Sequence, residues 1–180
     1  MSIISNMEIA ILGLICEKPM HGYEIEKTIE DRNMRHWTEI SLPSIYKILK
    51  KLEEKELIKS AIKLSKNNVA QKIYTATENG QTALKNSLID ILSNVEKTTW
   101  RIDLAIANLC FLNKQERQEA LKKYIQSIDE AISVYESVER YFQEHNYPQS
   151  DHALATRPIM HLRTEKEWAK QFMEIGEKDE

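Results

Sequence analysis

A chain of 180 residues that is 42% hydrophobic and 29% charged is long enough to bury a core and too apolar to be disordered. Its formal net charge of −3 excludes a uniformly basic nucleic-acid binder, yet residues 41–75 hold eight lysines against three glutamates, the local excess that short-range, salt-screened phosphate contacts need. Four glycines and four prolines favour long helices. No apolar run reaches membrane-spanning length, and the first residues carry neither a basic leader nor a small-residue cleavage site. Cys16 and Cys110 both fall in apolar helical stretches, so two buried, reduced thiols and a cytoplasmic location are expected.

Ile9, Ile11, Leu12, Leu14 and Ile15 predict a first buried helix that stops near Pro19. His21-Gly22-Tyr23 opens a second helix, with Tyr23, Ile25 and Ile29 among acidic residues up to about Arg32; a linker with Trp37 follows. The pattern restarts at Ser41, a suitable N-cap, with Pro43 in the first turn. Leu42, Ile45, Ile48, Leu49 and Leu52 make one apolar stripe. The opposite face carries Ser44, Lys47, Lys50 and Lys51, with Tyr46 at the border.

Ile58, Ser60, Ile62 and Leu64 alternate with period two, Val69, Ile73 and Thr75 flank a second extended run, and Ser65-Lys66-Asn67-Asn68 between them is turn chemistry. This predicts a β-hairpin with a basic tip. Thr77 then caps a fourth helix through Ala83, Leu84, Leu88, Ile91 and Leu92. Beyond it the expectation is entirely helical. A short, very apolar helix around Ile102–Phe111 should be buried, a long helix starts at Lys114 with an apolar seam to Phe142, and a last helix runs from about Asp151 to Ile175, with Pro158 in an early turn or at a kink.

Three helices, a hairpin and a fourth helix, basic on the third helix and at the hairpin tip, are the layout of a winged helix-turn-helix. The expected fold is mainly α: a winged helix-turn-helix over residues 1–88 followed by an all-helical dimerisation and effector domain over residues 89–180. In a winged helix the third helix enters the major groove and the wing follows the backbone.

LGLICEKPMHGYEI, SIYKILKKLEEKELI and IYTATENG together resemble the PadR family of bacterial regulators, and EKEWAKQF in the last helix is similar to the helical C-terminal domain of its longer members. The resemblance implies a repressor that binds a pseudo-palindromic operator as a homodimer and responds to a small aromatic effector such as a phenolic acid. By position it implies that Tyr23, Ser44, Tyr46, Lys47 and Lys51 face DNA, with Lys66, Asn67 and Asn68 on the wing; Lys50 is expected to join them as part of the same lysine face. Leu57 stands in EKELI where many relatives have glycine, so a local backbone difference is expected there.

Flat ligands favour aromatic walls, which points to Trp37, Trp100, Tyr124 and Trp168; the last three, with His152, are the candidate effector residues. His152 and His161 are too far apart to chelate as a helical pair, and no metal site is expected. Without a Gly-rich phosphate loop, GxSxG or HExxH, neither a cofactor nor catalysis is expected. Two other classes fit the same pattern: a helical protein–protein adaptor on a winged-helix scaffold, and a small-molecule binder that never meets DNA.

Overall fold

The computed structural model describes residues 4–32, 34–36, 38, 40–64 and 68–178. The chain divides into two compact units, Met1–Thr98 and Thr99–Glu180. Position 88/89, the division expected from the sequence, lies inside a helix that continues to Ser93.

The first unit opens with α1 (Asn6–Glu17). Ser5 and Glu8 close a capping box: the Ser5 N–H donates to Glu8 Oε2 at 2.6 Å and the Glu8 N–H to Ser5 Oγ at 3.4 Å. α2 (Gly22–Asp31) is capped by His21, whose Nδ1 accepts the Glu24 N–H at 3.1 Å. α3 (Leu42–Glu54) follows a short 3-10 turn at Met34–His36. Ile11, Leu12, Ile15, Ile25, Ile29, Ile45, Leu49 and Leu52 of these helices are fully buried together, each contributing roughly 1.5–3 kcal/mol of transfer free energy. The apolar stripes expected for the first three helices therefore form one core.

A three-stranded antiparallel sheet of order β1-β3-β2 completes this unit, from β1 (Met20–His21), β2 (Ile58–Leu64) and β3 (Ala70–Ala76). Ile58 pairs with Ala76, Ser60 with Tyr74, and Leu64 with Ala70. Ile58 and Tyr74 join the core, whereas Ile62 and Leu64 are 77% and 70% exposed. The period-two pattern holds, but the outer half of the hairpin leaves the body of the unit as a wing.

The turn from α3 into β2 is a Schellman motif: the Glu56 N–H reaches the Glu53 carbonyl at 3.0 Å and the Leu57 N–H the Leu52 carbonyl at 2.9 Å. Glu56 takes the left-handed position, with φ of 56°. The backbone peculiarity expected at Leu57 thus sits one residue earlier, and Leu57 itself is buried. Its carbonyl accepts the Thr77 N–H at 3.0 Å and lies where a Cβ at Gly80 would come within 2.0 Å, so glycine is required in the first turn of α4 (Glu78–Ser93).

The second unit holds α5 (Arg101–Ala107), a 3-10 turn at Leu109–Phe111, α6 (Lys114–Glu144) and α7 (Gln149–Lys178). α6 and α7 form an antiparallel hairpin. Ile128, Ile132 and Ile159 are its buried centre, and the buried alanines Ala155 and Ala169 let the helices approach closely. Asn146, at φ 53°, turns the chain; the Tyr147 N–H bonds the Phe142 carbonyl at 3.0 Å and the two rings pack with centroids 5.0 Å apart. Pro158 lies inside α7, at its tenth residue.

Two burial expectations fail. The short apolar helix has no buried residue, with Leu104 68% and Phe111 82% exposed. Among the described residues its apolar side chains stay open. Cys110, beside it, is likewise an exposed free thiol, and Cys16 is half-buried. No described helix is long and apolar enough to cross a membrane.

Candidate nucleic-acid interface

α3 presents the expected basic face. Ile45, Ile48, Leu49 and Leu52 point into the core, which turns Lys47, Lys50 and Lys51 outward, and all three are exposed. Lys50 stands 3.7 Å from Glu54 one turn on, with both side chains mostly exposed; such a pair contributes little and yields readily to a phosphate. Lys47 and Lys51 have no acidic partner among the described residues. Ser44 is differently employed. Its hydroxyl accepts the Ser41 N–H at 3.0 Å and donates to the Ser41 carbonyl, so it holds the first turn of α3 together.

Tyr46 and Tyr23 are 56% and 67% exposed. The Tyr46 ring lies over Gly22, so that a Cβ there would stand 2.8 Å from it. Helical glycine costs about 1 kcal/mol relative to alanine; here it makes room for a phenol. His21, Gly22, Tyr23, Tyr46, Gln71, Lys72 and Tyr74 surround a surface groove of about 300 Å3.

The wing is tied to α3 through Glu53. Lys72 Nζ meets its Oε2 at 2.8 Å, and the Ser60 hydroxyl donates to its Oε1. Hydrogen bonds from Lys72 and Ser60 hold the Glu53 carboxyl below its ordinary range, and the bond to Glu53 raises Lys72. Residues 58–76 contain four lysines and no acid. Asn68 is exposed in a left-handed turn position, φ 56°. Lys66 and Asn67, like Trp37, lie outside the described residues. The sequence reading missed His21, Gln71 and Lys72. Of these, only Lys72 carried a signal, as one of the hairpin's lysines.

A second groove in this unit, of about 370 Å3, is lined by Cys16 of α1 and by Leu84, Lys85, Leu88, Ile89 and Leu92 of α4, with Gln81. Burial pushes the Cys16 thiol up, which keeps it in the unreactive, protonated form.

The four candidate effector residues do not share one site. Trp100 is 59% exposed ahead of α5. Tyr124 donates to Glu165 at 2.9 Å across the α6–α7 hairpin, and burial together with that carboxylate pushes its phenol up to about 12. Trp168 stacks on Phe172, centroids 5.2 Å apart. His152 lies at the other end, with Nδ1 2.7 Å from Glu139 Oε1 and its ring edge-on to Phe142. At about 1.5 Å of rise per residue, Trp168 stands roughly 24 Å along α7 from His152.

Residues 11–86 match the model of the PadR-like transcriptional regulator family. Comparison with curated proteins gives no match. Among solved structures, the chain is similar to Bacillus subtilis PadR in complex with operator DNA, at 20% identity and TM-score 0.76 over 96% of this chain and 99% of that one. It is also similar to the same protein in complex with p-coumaric acid, at 19% identity and TM-score 0.74 over 95% and 98%. The PadR-like regulator BC1756 from Bacillus cereus matches at 20% identity and TM-score 0.63 over 96% and 99%. At these identities the structural likeness establishes a shared fold, a winged helix with a helical C-terminal portion. With the match over residues 11–86, that segment of the chain is similar to the PadR-like transcriptional regulator family.

Proposed function

We propose that this regulator is a repressor that binds a pseudo-palindromic operator as a homodimer and is released by a small aromatic effector. The observation that carries the DNA-binding part is the outward row of Lys47, Lys50 and Lys51 on α3, flanked by exposed tyrosines and a wing of four lysines without an acid. Lysines and tyrosines supply phosphate contacts that set register, and the exposed face of α3 is short enough to enter a major groove. Residues 1–88 are the DNA-binding portion and residues 89–180 the dimerisation and effector portion in this reading.

Apolar side chains left open on the second unit, Leu104 and Phe111 above all, support a second copy as their cover. The relative bound to p-coumaric acid supports a flat, acidic aromatic ligand. Tyr124 and Trp168 on one side and His152 on the other are alternative walls for it, with Trp100 a third position.

A labelled duplex covering the region upstream of the protein's own gene tests this reading. Retention at moderate salt with two protected half-sites one DNA turn apart, about 10 base pairs, is expected, as is release by titrated p-coumaric acid. Failure to retain any duplex would favour an adaptor that uses the same scaffold to meet protein.

A further inference from the structure

We infer that the groove between the start of α2 and the wing is a seat for one backbone phosphate, with His21 as a directed neutral donor. This deepens the DNA-binding reading and rests on it. Four features of the groove point to an anion.

First, its polar lining is made of donors. His21, Tyr23, Tyr46, Gln71 and Lys72 converge on it, and no carboxylate lines it. Second, the His21 ring is fixed in one tautomer. Nδ1 accepts the Glu24 N–H at 3.1 Å, which leaves the ring proton on Nε2 as a donor. The ring is further held parallel to Tyr23, centroids 6.3 Å and planes 17° apart. Third, neither the Tyr23 nor the Tyr46 hydroxyl has a hydrogen-bond partner among the described residues, nor has the Gln71 amide. Fourth, the seat is built: Gly22 yields the space that the Tyr46 ring fills, and Lys72 is held at its rim by Glu53 at 2.8 Å and lies 5.2 Å from the Tyr74 ring centroid.

Phosphate is the anion that such a set fits. Its oxygens accept several hydrogen bonds at once, and hydroxyls, amides and a rigid ring N–H can each supply one. The α2 terminus itself is not the site, because the His21 ring already occupies the Glu24 N–H. Lys47 and Lys51 act by charge; His21 acts by a placed hydrogen bond. That difference is measurable, since only a charge contact changes the number of counterions released.

His21→Asn keeps an N-cap acceptor for Glu24 and has too short a side chain to bring its amide to the groove. Gly22→Ala favours the α2 helix while displacing the Tyr46 ring. Both variants are compared with the unmodified full chain on the upstream duplex and on an unrelated duplex of equal length, across a salt series, with circular dichroism melting as the folding control. The expected result is folded protein whose affinity falls about tenfold or more, equally on both duplexes, with the slope of log K against log salt unchanged for His21→Asn. Unaltered binding by folded His21→Asn and Gly22→Ala, or a loss confined to one duplex, overturns the phosphate seat and leaves the DNA-binding reading standing. No binding by the unmodified protein overturns both.

Discussion

Glu8 of α1 and Lys55 at the end of α3 meet at 2.7 Å, with the glutamate only 2% exposed. This pair fastens the first helix of the unit to the end of the helix that carries the lysine face. Burial works to raise the Glu8 carboxyl, but the hydrogen bonds from Lys55 and the Ser5 N–H overcome it and hold the group below its ordinary value. A carboxyl depressed on folding contributes stability above its unfolded value, and that contribution disappears as pH falls through the folded one. Glu8→Ala is therefore expected to cost about 2 kcal/mol near neutral pH, discounted for the partial exposure of Lys55. The deficit should shrink toward acid, and denaturant titrations at several pH values check it.

Glu56 offers a gain in the opposite direction. A residue with a Cβ at φ 56° is held in the left-handed region at a cost of roughly 1 kcal/mol, which glycine does not incur. Glu56→Gly should raise stability by about 1 kcal/mol, read as a higher denaturant midpoint at constant slope. A fall would mean that the Glu56 side chain supports the turn.

The pair of His152 and Glu139 gives the second unit its own pH dependence. Hydrogen bonding to Glu139 raises His152, and the same bond lowers Glu139. A histidine raised on folding contributes fully below its unfolded value and loses that contribution as pH rises through the folded one. The α6–α7 hairpin is accordingly expected to weaken as pH climbs past the ordinary histidine range. His152→Ala should abolish that slope, and thermal melting followed from pH 5 to 9 reads it.

The order of elements is legible in the sequence because Ser41 and Thr77 stand where apolar periodicity begins, and because Asn146 and Pro148 interrupt the last long seam. Period alone does not say what covers a face. Ile62 and Leu64 alternate as half-buried strand residues do, yet they are exposed, since the hairpin outruns the body beneath it. Leu104 and Phe111 read as core for the same reason. The lysine face of α3 is legible because charge and stripe fall on opposite sides of one helix. The part of His21 is not, because a single residue before a glycine shows neither spacing nor charge. Trp168 and His152 are each candidates by residue type alone, and the length of α7 between them, which residue type does not reveal, sets them apart.

The exposed residues around α5 give a prediction about assembly. If a second copy covers Leu104 and Phe111, replacing both by glutamate should convert a dimer into a monomer while each chain keeps its helical content. Sedimentation velocity and circular dichroism decide this together. A variant that sediments like the unmodified protein would move the contact elsewhere.

The outward lysines of α3 carry the central claim, and the salt dependence of duplex binding tests it most directly. Lys47→Ala/Lys51→Ala should fold normally, bind both specific and unrelated duplexes more weakly, and flatten the slope of log K against log salt by about 0.9 for each lysine that meets a phosphate, so roughly 3–4 for the proposed homodimer. A folded double variant with the affinity and slope of the unmodified protein would contradict it.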